Sequence, residues 1–259
     1  PPRHVPMSNS CPQFVFSSRK KPVVCDEDAT VEPKSKDMSV SVSMFKQYAM
    51  EKHEILRKAL EEALVPSSST PAATLVDGMN YALLGDGKRI RPILALAACE
   101  MFGGTMEQVL PTAVALEMIH TMSLVHDDLP LMDNDDLRRG KPTTHKVFGE
   151  DVGVLVGDAL LAEAFGTIAR KTRGVAPERV LQVIGLLSEA SGIAGLAGGQ
   201  VRDLECAKLD KEFVSLEDLE FIHLHKTASL LKASVACGAV LAGAAQEDVE
   251  KLANFANYV

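Results

Sequence analysis

The densest chemistry in this chain lies between His126 and Gly140. The run His126-Asp127-Asp128-Leu129-Pro130-Leu131-Met132-Asp133-Asn134-Asp135-Asp136-Leu137-Arg138-Arg139-Gly140 holds five aspartates and two adjacent arginines, directly after an apolar stretch. Carboxylates this close repel one another and destabilise a fold unless cations neutralise them. Hard divalent cations with oxygen ligands do so, and Mg²⁺ takes one or two carboxylates and completes its shell with water and phosphate oxygens. The arginine pair also suits phosphate, because a guanidinium can grip two oxygens at once. Together these residues read as a site for a diphosphate held between metal and fixed positive charge. An acidic loop that solubilises a helix end, and a basic surface turn over 138–142, are the plainer readings of the same residues.

The elements that must position this segment are helical. Aromatics make up 5% of the chain, Trp is absent, and long Ala/Leu-rich stretches favour helix over sheet. Phe45, Tyr48, His53, Leu56, Leu60 and Leu64 fall on one face of a helix that starts at Met44 and ends before Pro66. Further helices are expected at 72–84, 88–102, 106–129, 151–171, 177–205, 216–242 and 246–258. Thr70-Pro71 opens the first of these, and Ser215-Leu216-Glu217-Asp218 reads as a capping box for the helix at 216. No run alternates with strand period and no repeat is found. The expected fold is a single all-α bundle with ligands bound between helices.

Helical geometry links the candidate residues. His120 precedes Asp127 by seven positions, which returns it to nearly the same face, about 20° off and ~10 Å along. His120 alone reads equally well as a satisfied core histidine. Asp133 lies six positions after Asp127, about 240° round a straight helix. Pro130 offers the way back, since the residue before a proline is biased out of helix and the chain can fold Asp133 towards Asp127. Lys88 and Arg91, three apart near a helix start, point to one side, where helix-terminal N–H groups also favour an anion.

Composition narrows the partners. The 259 residues and 46% hydrophobic content provide one sizeable core. A net charge of −8 argues against nucleic acid as the main partner. Cysteines at 11, 25, 99, 206 and 237 have neither metal-ligand spacing nor a dense framework, which suits a reducing compartment such as cytosol or stroma. No uninterrupted apolar run is long enough to span a bilayer. The first 25 residues carry +4 with no acid, which leaves −12 for the rest of the chain. This basic, Ser- and Pro-rich leader reads as a plastid transit peptide or its remnant, with a disordered tail as the alternative. Residues 26–42 read as a solvated linker, so the domain division expected is 1–42 and 43–259.

The aspartate-rich segment resembles the first such motif of the trans-prenyltransferases, the isoprenyl diphosphate synthases, in its longer-spaced form. Matching pieces stand in family order: Gly85-Asp86-Gly87-Lys88-Arg89-Ile90-Arg91-Pro92, Glu117-Met118-Ile119-His120, Gly198-Gly199-Gln200-Val201-Arg202-Asp203 and Lys226-Thr227. The similarity runs from about Met44 to the end and is nearest to plant-type geranylgeranyl diphosphate synthases. It implies the prenyl synthase bundle around a deep central cavity, and a homodimer. It also implies Mg²⁺ on Asp127 and Asp133 with Asp128 in support. Isopentenyl diphosphate would lie on Lys88, Arg91, His120 and Arg139, and an allylic diphosphate (dimethylallyl, geranyl or farnesyl) on Arg138, Lys226 and Thr227. Gln200 and Asp203, which share a helix turn, would orient Lys226 by hydrogen bonding. Family members carry a second aspartate-rich motif beyond Val259, so the resemblance implies a partial sequence lacking its C-terminal helices. Asp86 stands where the family usually has Gly, and a carboxylate beside a diphosphate is expected to point away.

The implied reaction is electrophilic chain elongation: the allylic diphosphate departs, and the double bond of isopentenyl diphosphate attacks the resulting cation. Met122 and Ser123, just before the first aspartate, carry no aromatic bulk, which implies a long geranylgeranyl product. One rival reading is a pairing subunit of a heteromeric synthase, whose members often carry two cysteines four apart where this chain has Ala95 and Cys99. An HD-type phosphohydrolase explains only His126-Asp127, and a terpene cyclase gives no reason for two diphosphate sites. His223 and His225 have no zinc-ligand partners nearby in sequence and read as surface or packing residues.

Overall fold

The computed structural model describes residues 35–210 and 213–258, with side chains from residue 43 to residue 257. The leader and most of the expected linker therefore lie outside the described residues. The chain divides into two units, Pro1–Ser43 and Met44–Val259. The helices are α1 (Ser35–Glu61), α2 (Ala73–Leu83), α3 (Ile90–Met101), α4 (Met106–Asp127), α5 (Thr144–Phe148), α6 (Glu150–Lys171), α7 (Pro177–Ser191), α8 (Leu196–Ala207), α9 (Leu216–Ile222), α10 (Ser229–Ala242) and α11 (Gln246–Phe255). A π-helical segment, His223–Ala228, joins α9 to α10. The only sheet among the described residues is a hairpin of β1 (Leu137–Arg138) and β2 (Lys141–Pro142). The all-α expectation holds.

The core forms where α4 packs against α3, α6 and α10. Leu116, Met118 and Ile119 of α4 are fully buried with Leu96 of α3, Leu160 of α6 and Leu241 of α10. Small residues let the axes approach: a Cβ on Gly238 would lie 3.0 Å from the Ala95 carbonyl carbon. Three helical stretches, 106–127, 150–171 and 177–207, are long and apolar enough to cross a membrane by length and composition. This corrects the expectation that no such run exists. In α4, 67% of that window is buried inside the protein.

Several boundaries differ from expectation for local reasons. α1 begins at Ser35, not Met44, and Phe45 of its supposed core face is exposed while Leu56 and Leu60 are buried. Thr70 does not cap α2. Its Oγ1 accepts from the Ala72 N–H at 3.2 Å, and the helix starts beyond it at Ala73. The helix expected over 177–205 is broken between α7 and α8, where Gly192 and Gly195 turn the chain and leave Ile193 94% exposed. The short α5, ended by Gly149 at φ 97°, and the hairpin carry too few residues to show a period. The Ser215 capping box is present, with Asp218 N–H donating to Ser215 Oγ at 3.1 Å.

One buried ion pair ties the start of α3 to α4. Arg89 caps α3 in the left-handed region (φ 51°) and donates through Nη1 to Glu117, and through Nη2 to the carbonyls of Leu83 (3.1 Å) and Gly85. Removing one partner strands a buried charge, which costs about 3–5 kcal/mol, whereas an apolar pair of similar volume is often tolerated. Glu117→Ala should therefore lose about 3–5 kcal/mol in urea unfolding, and Arg89→Met/Glu117→Leu should recover most of it. A single-variant loss under about 1 kcal/mol, the worth of a surface pair, would remove this pair from its structural role.

Candidate active site

The aspartate-rich segment turns back on itself after Pro130. α4 ends at Asp127, Met132 N–H donates to Leu129 C=O at 2.9 Å, and Asp133 N–H donates to Asp127 C=O at 2.9 Å. Asp133 thus returns to the end of α4 despite its position round the straight helix. The hairpin that follows has positive φ at both turn residues, Arg139 (54°) and Gly140 (80°), as type I′ turns require. It sends the adjacent arginines apart. Arg138 Nε donates to Asp128 Oδ1 at 2.9 Å, and its Nη2 reaches both Asp128 and Asp135. Arg139 Nη1 donates to the Asp86 carbonyl across Gly87, whose missing side chain makes room for the guanidinium.

A cavity of about 560 Å³ is lined by Lys88, Arg91, His120 and Arg139, together with Asp86, Gly87, Arg89, Ile90 and Glu117. All four residues expected to meet one diphosphate are therefore on one wall. Arg91 Nε is buried without a hydrogen-bond partner, and burial lowers the Arg91 pKa despite Glu117. Among the described residues neither Lys88 nor Arg91 enters an ion pair, so the cavity holds unspent positive charge. His120 is held neutral: burial, then the charges of Arg91, Arg139, Arg89 and Arg138, push its pKa from 6.5 down to about 3. Asp86 stands beside the cavity: its backbone carbonyl accepts from Arg139, and its carboxylate helps offset the like charges around that guanidinium. His53 of α1, read only as a helix-face residue, donates from Nε2 to the Gly87 carbonyl at 3.0 Å and braces this loop.

Asp127 lies beside a second set of charges. Lys226, carried by the π-segment, sits 2.6 Å from Asp203 Oδ2 and 3.8 Å from Asp127 Oδ2. Burial opposes its charge, but the Asp203 bond and the field of Asp127 win and raise its pKa. The Asp127 pKa is raised to about 6: burial lifts it most, Lys226 and Arg138 pull it down, and Asp133 and Asp128 push it up. Asp128 is buried and raised by burial in spite of its Arg138 bonds, both of which go to Oδ1. Gln200 does not orient Lys226: its Nε2 is buried without a partner, and Asp203 alone bonds the ammonium. Gly199 explains the glycine pair, since a Cβ there would lie 2.7 Å from Lys226 Cα. Thr227 is exposed on the π-segment.

Among the described residues no three acidic, His or Cys side chains surround one point. Octahedral Mg²⁺ needs only one or two carboxylates besides water and phosphate, and the donor set of Asp127 and Asp133, mutually repelling with one oxygen pair half-buried, fits that need. Met122 and Ser123 line neither this cavity nor the smaller one beside Arg138. Met122 belongs to the core, and Ser123 Oγ donates to the His120 carbonyl at 2.8 Å. Ala95 and Cys99, where a cysteine pair would stand, are both fully buried in α3.

The polyprenyl synthetase family profile matches residues 72–259. The chain is 54% identical over 215 residues to a chloroplastic geranylgeranyl pyrophosphate synthase of Catharanthus roseus, covering 83% of this chain and 59% of that protein. It is 48% identical over 256 residues to the heterodimeric geranylgeranyl pyrophosphate synthase large subunit 1, chloroplastic, of Arabidopsis thaliana, covering 98% of this chain and 68% of the other. A crystal structure of an FPP/GFPP synthase from Zymomonas mobilis superposes with a TM-score of 0.75 at 36% identity, over 83% of this chain and 75% of that one. The chain thus spans about three fifths of the length of the Catharanthus relative.

The depressed His120 makes a pH prediction. Between its folded value of about 3 and its ordinary 6.5, the unfolded chain binds the extra proton, so acidification across that window costs stability. The cost rises to about 1.4 kcal/mol for each unit of pH crossed. His120→Asn should flatten the fall in urea midpoint across the window, and parallel curves for the two proteins would show that His120 is not held neutral.

Proposed function

The chain belongs to the polyprenyl synthetase family, and from that premise we propose that it is the site-bearing part of a Mg²⁺-dependent prenyltransferase. The enzyme joins isopentenyl diphosphate to an allylic diphosphate, with geranylgeranyl diphosphate as product. One observation carries the reading. Two cationic sets stand side by side, one around the 560 Å³ cavity and one beside the Asp127–Asp133 turn, as a reaction between two diphosphates requires.

In this reading Lys88, Arg91 and Arg139 hold the isopentenyl diphosphate, and neutral His120 hydrogen-bonds it without adding charge. Asp127 and Asp133 would hold Mg²⁺, which when bound supplies charge neutralisation for the departing diphosphate. Lys226 turns from Asp203 and Asp127 to the leaving group, and Arg138 adds the Nη1 donors that Asp128 and Asp135 leave unused. The leaving bond breaks towards fixed charge, the double bond of isopentenyl diphosphate attacks the allylic cation, and the released diphosphate takes the lost proton. Preset charge in a site that excludes water is the main source of rate. The chloroplastic relatives support a plastid location, and the homodimer is proposed from the family resemblance alone. A second reading, a subunit in a heteromer, is favoured by the likeness to the heterodimeric large subunit. Buried Ala95 and Cys99 weigh against pairing through that part of α3.

Asp127→Ala and Lys226→Ala should each lower turnover ~10²–10³-fold in a condensation assay with Mg²⁺, and chelation should abolish product until Mg²⁺ is restored. Turnover within threefold of the parent, marked against the ~10²-fold expectation, would sink the role of that residue.

A further inference from the structure

The residue before Lys226 carries an interaction that the reading above does not use. The rings of Phe221 and His225 stack with centroids 3.9 Å apart and 19° between planes. His225 Nδ1 lies 2.7 Å from the Phe221 carbonyl oxygen. A carbonyl only accepts, so Nδ1 carries the hydrogen. The two residues bracket the entry to the π-segment His223–Ala228, on which Lys226 is mounted.

We propose that His225 is a positioning residue for Lys226, and that its Nδ1–H bond to the Phe221 carbonyl holds the widened turn that aims the ammonium at Asp203 and Asp127. A π-turn is rare because an α-helix of the same residues is usually better bonded, so something outside the helical ladder has to hold it. On one side that is α8, which approaches so closely at Gly199 that a Cβ would sit 2.8 Å from the His225 carbonyl carbon. On the other side it is the His225–Phe221 lock. Relaxation to α-helix would swing Lys226 about the axis and away from Asp203, now 2.6 Å distant. Phe221 and His225 are both accessible enough that the ring stack alone gains little from burial. The directed hydrogen bond is therefore what sets the geometry. The inference rests on the proposed function only in taking Lys226 to meet the allylic diphosphate.

Two variants separate the bond from the stack. His225→Asn keeps a donor where Nδ1 stands and loses the ring, while His225→Phe keeps the ring and loses the donor. The primary readout is the rate at which acetic anhydride acetylates Lys226, followed by mass spectrometry of the peptide in the folded chain, with Lys88 as internal reference. Loss of the hold by one hydrogen bond should speed Lys226 modification about tenfold in His225→Phe and leave His225→Asn near the parent. In the condensation assay the Phe variant should raise the KM for the allylic diphosphate and leave that for isopentenyl diphosphate unchanged. Equal acetylation rates in the two variants, or protection by Phe and not by Asn, would overturn the proposal. The acetylation result needs no turnover. Unchanged turnover in the Asp127→Ala and Lys226→Ala variants would refute the proposed function without touching this test.

Discussion

Arg89 and Glu117 face each other with side chains 7% and 2% exposed. Burying two opposite charges so fully is tolerable only because Arg89 also satisfies the carbonyls of Leu83 and Gly85. The geometry of the 560 Å³ cavity depends on this contact. It fixes where the Gly85–Lys88 loop leaves α2, it starts α3 in a left-handed residue, and it pins both to the middle of α4. Lys88 and Arg91 flank Arg89 in sequence, and His120 lies one turn beyond Glu117. The two anchors therefore place the cationic residues that line the cavity on both sides.

The rest of the site is a balance of charges that have been brought together before any ligand arrives. Asp128 is spent on Arg138, Asp203 on Lys226, and Asp136 on Lys146. Asp127 is only partly compensated, with Lys226 at 3.8 Å against burial and two acidic neighbours. The cavity shows the reverse: among the described residues Arg91 and Lys88 enter no ion pair, and His120 is kept neutral by burial and then by the surrounding guanidiniums. A surplus of negative charge beside a surplus of positive charge is the physical basis for the proposed metal and diphosphate sites.

Backbone irregularities do the aiming. The type I′ turn at Arg139-Gly140 converts two adjacent arginines into residues serving different places, and the break after Pro130 returns Asp133 to Asp127. The π-segment and the bare backbone at Gly199 do the same for Lys226. Each of these departs from regular helix at a charged residue, and each depends on contacts between segments far apart in the chain.

Much of this was legible in the residues themselves. Helical period, caps and turn residues are local properties, so the all-α fold, the α2, α3, α4, α6 and α11 segments and the Ser215 cap could be read directly. The charge cluster at 127–139 announced itself by self-repulsion, and Pro130 announced the turn. The gathering of Lys88, Arg91, His120 and Arg139 on one wall needed the folded chain, as did the commitment of Asp128 to Arg138 and the idleness of Gln200. Which partner a polar group finds depends on distances between helices, and those are decided by packing over the whole core. The composition of each charged cluster was thus a property of the sequence, whereas its pairing was decided by the tertiary structure, because a hydrogen bond or ion pair between distant segments exists only once the helices that carry them have docked.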